Sequence, residues 1–280
     1  MSFSWENEWR YQKLKEESFL TKHILDKTPK WVRFVRRKIP VSLQRTLESA
    51  FGKAFYMVFE KGTGLIEKTY KKDAQKHTYK SSSKKLRKEG FTAAGVKRFD
   101  RQAKNTVGKN LIISGFEGLA LGLGGMGIPD IPIFVSVMLK SIYEIAISFG
   151  YSYTSPEEKI FILKIIDTSL KSGDELRKKN AELNKLIDIM SDADFKNSGV
   201  NKESNNSNKT SDEDVLKLML TRQIDISAEA LSRELLYGKF VQGKAIIGII
   251  GGMNDVTCLK RITDYALLKY KRRFLLGYKE

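Results

Sequence analysis

Two prolines interrupt the longest apolar stretch of this 280-residue chain and restrict what that stretch can fold into. Residues 111–153 carry only four charged side chains, but Pro129 and Pro132 stand in the middle, where their rings prevent one continuous helix. Asp130, between the prolines, suits the N-cap of a second helix. The pattern therefore predicts two helices that meet in a turn and form an apolar hairpin rich in glycine.

A second glycine-rich apolar run, at residues 245–252, indicates another such hairpin. A clean membrane span needs about 20 apolar residues, and Glu117, Lys140 and Glu144 raise the cost of crossing hydrocarbon. Lys140 and Glu144 are four residues apart, so we expect them to pair. Burial within the protein is the favoured interpretation of the hairpins, and insertion into a bilayer is the alternative. The residues that define the two hairpins are Gly122, Gly124, Gly127, Asp130, Pro132, Gly251, Gly252 and Asn254.

Helical periodicity recurs along the rest of the chain. Apolar residues repeat at intervals of three and four in segments 43–59 and 256–274. Residues 155–158, Ser-Pro-Glu-Glu, form a capping box, and further helix starts are predicted at Thr28-Pro29 and at Ser211. No alternating strand pattern with turn signals stands out. The predicted fold class is all-α, a multi-helix single domain with glycine-rich apolar helical hairpins.

The positive charge of the chain is concentrated before the first hairpin. Residues 1–110 contain 27 Lys/Arg against 11 Asp/Glu, whereas residues 111–280 contain 23 against 22. A positive field confined to one part of a chain is typical of proteins that bind a polyanion, either lipid headgroups or nucleic acid. The predicted lipid-contacting residues are Trp31, Arg33, Arg36, Arg37, Lys38, Lys84, Lys85 and Arg87, with Trp5 and Trp9 near the headgroups as well.

Two segments have the composition of breaks between helices. Residues 71–90 are rich in lysine, with three serines in the middle, and are predicted to form a solvated link or basic surface loop. Residues 191–214 are mostly Asn, Ser, Lys and Asp and are predicted to be a flexible insertion within one domain. In the last predicted helix, Lys260, Arg261, Lys269 and Lys271 lie largely off the apolar stripe.

Sequence motifs for known chemistry are weak. Residues 122–127 match G-x-G-x-x-G, but the preceding residues look helical and prolines follow, which disfavours a nucleotide site. Residues 238–244 imitate a P-loop without its Ser or Thr, and the single cysteine, Cys258, is interpreted as a core residue. No metal site or cofactor is predicted. The enzymatic candidates are carboxylates in or beside apolar segments, namely Asp130, Glu117 and Asp255, although caps and ion pairs explain them as well.

Several motifs together resemble the EcsC family of bacterial proteins. They are the glycine-rich stretch that runs into Asp130-Ile131-Pro132, the helix at 142–146 with its ending Phe149-Gly150-Tyr151, the later Gly251-Gly252-Met253-Asn254, and Arg272-Arg273 in the last helix. Upstream, residues 38–40 and 60–67 also match. The resemblance covers most of the chain apart from 191–214 and implies one EcsC-like helical domain over 1–280. It further implies membrane association and a link to a two-part ABC exporter, and it supplies no catalytic residues.

Charge and resemblance together predict an accessory protein at a membrane surface, without a defined reaction. The expected location is the cytoplasm, peripheral at the inner face of the plasma membrane, because residues 1–10 lack the basic start and apolar run of a signal peptide. The expected partners are anionic lipid and a membrane transporter or other membrane protein. A metal-dependent hydrolase that uses the carboxylates named above is one alternative. Nucleic-acid binding through residues 1–110 is the other, and it lacks a reading helix or stacking motif.

Overall fold

The computed structural model describes residues 5–24, 40–111, 130–197, 209–241 and 253–279. Every regular element within these ranges is helical, which confirms the predicted all-α class. In chain order the helices are α1 (Trp5–Ile24), α2 (Val41–Met57), α3 (Thr63–Lys68), α4 (Lys72–Glu89), α5 (Ala93–Leu111), α6 (Asp130–Ser148), α7 (Pro156–Ser169), α8 (Gly173–Asn197), α9 (Lys209–Val241) and α10 (Met253–Leu276). A π-helical turn, Val58–Gly62, joins α2 to α3, and Thr63 donates to the Val58 carbonyl across it at 2.9 Å.

Helix α6 is the centre of the fold and the second arm of the predicted hairpin. It packs against α2, α4, α5 and α10, and its apolar side chains are almost all buried. The segment Ile131–Ser148 is long and apolar enough to cross a membrane, but 89% of it is buried inside the protein. A soluble core helix passes the same test of length and composition. Lys140 donates to the Thr69 carbonyl at 3.3 Å, and Glu144 accepts from Gln75 at 2.9 Å.

Capping interactions fix the ends of the central helices. The predicted capping box at α7 is confirmed, since the Ser155 side chain accepts a hydrogen bond from the Glu158 N–H and Pro156 occupies the first helical position. Helix α6 ends in a Schellman turn, in which the Tyr151 N–H donates to the Ala146 carbonyl and Gly150 has a φ of +88°. The helix end thus points the chain toward α7.

The amphipathic stripes of α2 and α10 confirm the predicted periodicity. Leu47, Phe51 and Phe55 of α2 are fully buried, and α2 packs along α9. In α10, Ile262 and Tyr270 are fully buried, and Cys258 is a buried core residue as expected. Helix α10 contacts α1, α5, α6, α7, α8 and α9, so the end of the chain is packed among six helices.

The prediction of a loop at residues 71–90 was wrong. The segment forms α4, which packs on α6 and α5 through Tyr79, Ser83 and Leu86. Lysine and arginine are good helix formers, so a charged outer face does not break a helix that has a narrow buried stripe. Gly90, with a φ of +78°, ends it.

The predicted flexible insertion at 191–214 extends too far at both ends. Helix α8 continues to Asn197 and α9 begins at Lys209, so the polar residues at both edges are helical. Once a helix is nucleated by packing, adding further residues to its end costs little, even for polar side chains. Residues 198–208 lie outside the described ranges, as do the predicted helix start at Thr28-Pro29 and the first arm of the hairpin.

Candidate functional site

A row of lysines marks the outer face of α4. Lys76, Lys80, Lys84 and Lys88 are spaced four residues apart, and all four side chains are exposed. Residues at this spacing share one side of an α-helix. The predicted contacts Lys84, Lys85 and Arg87 are all exposed on this helix, and Lys85 lies 3.5 Å from Glu89. Within the described residues, none of the four spaced lysines lies at ion-pair distance from a carboxylate.

Helix α5 extends the positive surface beside α4. The two helices pack together, and Lys97, Arg101 and Lys104 form the exposed stripe of α5. Arg98, on the flank, lies 3.9 Å from Glu89 at the end of α4. We call the exposed cations of α4 and α5 the basic face; its members are Lys76, Lys80, Lys84, Lys85, Arg87, Lys88, Lys97, Arg101 and Lys104.

The other described helices carry less excess positive charge than α4 and α5, and the largest excess among them, six Lys/Arg against two Asp/Glu, is on α10. Helices α4 and α5 together contain twelve Lys/Arg and three Asp/Glu. Helices α7, α8 and α9 together contain twelve Lys/Arg and fifteen Asp/Glu, and α1 contains four of each kind. Most of the excess positive charge of the described helices therefore lies on α4 and α5.

Other predicted lipid contacts have different outcomes. Trp31, Arg33, Arg36, Arg37 and Lys38 lie outside the described ranges. Among the tryptophans near the N-terminus, the Trp5 indole donates to the Leu275 carbonyl at 2.8 Å, and the Trp9 ring lies between Trp5 and the Arg272 guanidinium. These two half-buried rings fasten α1 to α10, and their contact with headgroups stays a prediction.

A polar cluster lies beside α6 and includes Glu67, the last residue of the family-like segment 60–67. The Tyr153 hydroxyl donates to Glu67 at 2.5 Å and lies 2.7 Å from the Tyr70 hydroxyl, and Lys72 also donates to Glu67. The Tyr153 ring stacks on Tyr143 of α6 with 4.0 Å between ring centroids. The cluster ties α3, α4, α6 and the loop after α6 together.

The protonation states of this cluster follow from burial and from Lys72. Burial alone would raise the pKa of Glu67, but the hydrogen bonds from Lys72 and Tyr153 and the Lys72 charge hold it below its usual value. Burial and then the Glu67 carboxylate raise the pKa of Tyr153. The carboxylate stays ionised and the phenol stays neutral, which suits a structural network and gives no poised acid and base pair.

Helix α10 holds cations inside the protein, which the sequence reasoning missed. Lys269 is fully buried, lies 2.9 Å from Glu16 of α1 and also donates to two asparagines of α8, Asn180 and Asn184. Burial lowers the pKa of Lys269 to about 8 against the attraction of Glu16. Burial alone would raise the pKa of Glu16, but the Lys269 charge and the two asparagine amides lower it.

Two further cations of α10 are buried in the same way. Lys271 lies 2.6 Å from both Glu8 and Asp100. Arg273 lies 2.7 Å from Glu158 at the start of α7, and its guanidinium stacks over the Tyr151 ring at 4.0 Å. Lys269 and Lys271 were placed largely off the apolar stripe, but both are buried, and their partners come from distant helices, up to 263 residues away. A pairing over that distance leaves no local signal in the sequence.

The side chains of the three catalytic candidates lie outside the part of the chain that the structure describes. Helix α6 begins at Asp130 and α10 contains Asp255, but their side chains, like the whole of Glu117, lie outside what the structure describes. The described part of the chain holds no group of three or more His, Cys, Asp or Glu placed for a metal ion. Asp264, another acid beside an apolar segment, pairs with Lys260 at 2.5 Å, in agreement with the structural interpretation.

Most residues of the two glycine motifs also lie outside the described ranges. Gly122, Gly124, Gly127, Gly251 and Gly252 lie outside the described ranges, and Asn254 lies in α10 without a described side chain. Pro132 is buried in the first turn of α6, where a proline is tolerated because the first N–H groups of a helix have no partner within it. Helix α6 therefore starts as the sequence predicts.

Comparison with known proteins agrees with these motifs. The EcsC protein family matches the chain over residues 6–275, nearly its whole length. The chain belongs to the EcsC family. Protein EcsC of Bacillus subtilis (strain 168) is 24% identical over 161 residues, which cover 54% of this chain and 60% of that protein. No solved structure matches this EcsC-family protein. Family membership brings no catalytic residues to the site.

Proposed function

We propose that this EcsC-family protein is an accessory protein that attaches to an anionic membrane surface through the basic face of α4 and α5. The observation that carries the proposal is the one-sided row of exposed lysines on α4, continued by the stripe on α5. Each lysine or arginine near an anionic membrane adds about 1 kcal/mol of attraction. Several such residues on one plane give useful affinity without any inserted segment.

The lack of excess positive charge on α7, α8 and α9 supports a defined orientation. Helices α7, α8 and α9 carry slightly more acidic than basic residues. An anionic membrane therefore attracts the basic face and does not attract these three helices. The long apolar helix α6 is largely buried, so attachment does not use it as a span. The proposed location is the inner face of the plasma membrane, where anionic lipid is available.

The finer part of the proposal concerns the protein partner. A protein held flat on the membrane by α4 and α5 presents its other helices to membrane-embedded proteins, and the family resemblance points to an ABC exporter as that partner. The attachment does not depend on the identity of the partner, so the two parts can be tested separately.

Vesicle sedimentation tests the attachment. We expect the full chain to pellet with vesicles containing phosphatidylglycerol, increasingly so as its fraction rises, and not with neutral phosphatidylcholine vesicles. The variant K76E/K80E/K84E/K88E should lose at least a hundredfold in partition coefficient, because four attractions of about 1 kcal/mol become repulsions. The matched control K178E/K185E/K217E/R222E changes the net charge equally on exposed positions of α8 and α9. Equal losses in both variants would contradict a localised face.

Nucleic-acid binding is the competing use of the same cations. Among the described residues of α4 and α5, Tyr79 and Phe99 pack against each other, so no Phe, Tyr or Trp ring of the basic face is exposed for single-stranded bases to stack on, and His77 is the exposed ring. A gel-shift measurement at physiological salt with duplex DNA and with RNA separates the two. Retardation by nucleic acid at lower protein concentrations than those needed for vesicle binding would overturn the membrane proposal.

A further inference from the structure

A cleft of about 320 Å³ opens between α1, α5 and α10, beside the basic face. Lys15 and Lys22 line it from α1, and Lys104 lines it from α5. All three side chains are exposed, and no described Asp or Glu lies at ion-pair distance from them. Lys104 also belongs to the exposed stripe of α5, so the cleft is continuous with the surface proposed to meet the membrane.

The other lining groups of the cleft include two rings and two leucines beside polar and charged side chains. Tyr11 and Phe19 lie on α1, and Leu267 and Leu268 lie on α10. The ammonium of Lys15 lies over the Tyr11 ring, 5.3 Å from its centroid. A cleft in which unpaired lysines lie beside rings and leucines matches an amphiphile with an anionic head.

The charged side chains Lys271, Asp100 and Asp264, which also line the cleft, are held in ion pairs. Lys271 pairs with Glu8 and Asp100 at 2.6 Å each, and Asp264 pairs with Lys260. The buried triad carries one net negative charge, whereas Lys15, Lys22 and Lys104 carry three positive charges. The remaining field at the mouth is positive and favours a phosphate group.

Resting on the proposed function, we infer that this cleft binds the phosphate headgroup of a single anionic phospholipid. The phosphate would lie among Lys15, Lys22 and Lys104, with the glycerol and the first acyl carbons against Tyr11, Phe19 and Leu267. The cleft volume is at the lower end of the range of small-molecule sites, enough for a headgroup and not for whole acyl chains. The basic face then attracts anionic lipid of any kind, and the cleft makes the protein select one headgroup over others.

Short-chain lipids test the inference in the absence of a membrane. Isothermal titration of the full chain with dihexanoyl phosphatidylglycerol, below its micelle concentration, should show saturable binding. Inorganic phosphate should bind at least tenfold more weakly because it leaves the apolar side of the cleft uncovered. The variant K15E/K104E should lose at least tenfold in affinity for the short-chain lipid, whereas K217E/R222E, on exposed positions of α9 outside the basic face, should stay within twofold of the original chain.

The outcomes separate the two proposals. If inorganic phosphate binds as tightly as the short-chain lipid, the site takes free phosphate compounds and the lipid assignment is overturned. If the chain pellets with anionic vesicles but does not bind the short-chain lipid, the cleft inference fails and the attachment proposal stands. If the short-chain lipid binds but vesicles do not pellet the chain, attachment fails and the cleft remains a headgroup site.

A second variant, K15M/K104M, removes charge without adding repulsion and should reduce affinity for the same lipid about tenfold or more.

Discussion

Helices α4 and α10 are both rich in lysine and arginine, but the protein uses these residues in opposite ways. On α4 all the cations except Lys72 are exposed, and Tyr79, Ser83 and Leu86 pack inward. On α10, Lys269, Lys271 and Arg273 lie inside the fold against carboxylates of other helices. The same residue types are therefore free for a partner in one helix and committed to architecture in the other.

The difference teaches that the location of a charge matters more than its number. A buried cation has lost its water and depends on its protein partner, so removing that partner is costly. An exposed cation keeps its water, and its loss changes the stability of the fold by about 0.5 kcal/mol or less. Stability measurements should thus respond to α10, and binding measurements should respond to α4.

The largest expected effect concerns the partner of Lys269. Glu16→Ala leaves a fully buried ammonium with only asparagine oxygens, and we expect a loss of about 3–5 kcal/mol in the free energy of unfolding. Urea denaturation measures it. The double variant E16A/K269M removes both charges and should recover most of the loss. A single variant within 1 kcal/mol of the original chain would show that the pair does not hold α1 to α10.

The next effect concerns how α4 is attached to the core. Gly150 has a positive φ, and a Cβ at this position would overlap the Tyr79 ring of α4. We expect Gly150→Ala to lower the free energy of unfolding by about 2–4 kcal/mol, from backbone strain and from displacement of Tyr79. The double variant G150A/Y79A should differ from Y79A by less than G150A differs from the original chain. Full additivity would mean that Tyr79 does not occupy that space.

The free energy of unfolding should fall at alkaline pH because of the buried tyrosines. Burial raises the pKa values of Tyr265 and Tyr270 in α10 and of Tyr143 in α6. Unfolded tyrosines lose their protons near pH 10, whereas the folded ones keep them, so this stability is complete below pH 10 and is lost as the pH rises further. Each tyrosine contributes a slope of up to about 1.4 kcal/mol per pH unit. Tyr270→Phe should reduce that slope, and an unchanged slope between pH 10 and 11 would contradict the assignment.

Sequence patterns predicted the helices whose signals are local. The stripe of α2, the cap at Ser155 and the buried Cys258 depend on residues within a turn or two of one another. Helix α4 was missed because its narrow buried stripe is hidden among lysines. The paired cations of α10 were missed because Glu8 and Glu16 lie more than 250 residues away along the chain. The basic N-terminal part was predicted, but its concentration on two adjacent helices emerges only in three dimensions.

The smallest expected effect on stability lies on α4. Lys84→Ala should leave the free energy of unfolding within about 0.5 kcal/mol of the original value, because the side chain is exposed and pairs with no described carboxylate. The same change should weaken partition onto vesicles rich in phosphatidylglycerol about fivefold, corresponding to about 1 kcal/mol. A stability loss without a binding loss would reverse the roles assigned to α4 and α10.

Fluorescence quenching at defined positions tests the central claim most directly. The only native thiol, Cys258, is buried, so a C258S background allows one environment-sensitive probe at Ser81 of α4 and, separately, one at Glu182 of α8. With anionic vesicles that carry a spin-labelled headgroup quencher, the α4 probe should be strongly quenched and the α8 probe should stay close to its value in solution. Equal quenching at both positions, or stronger quenching on α8, would contradict attachment through the basic face.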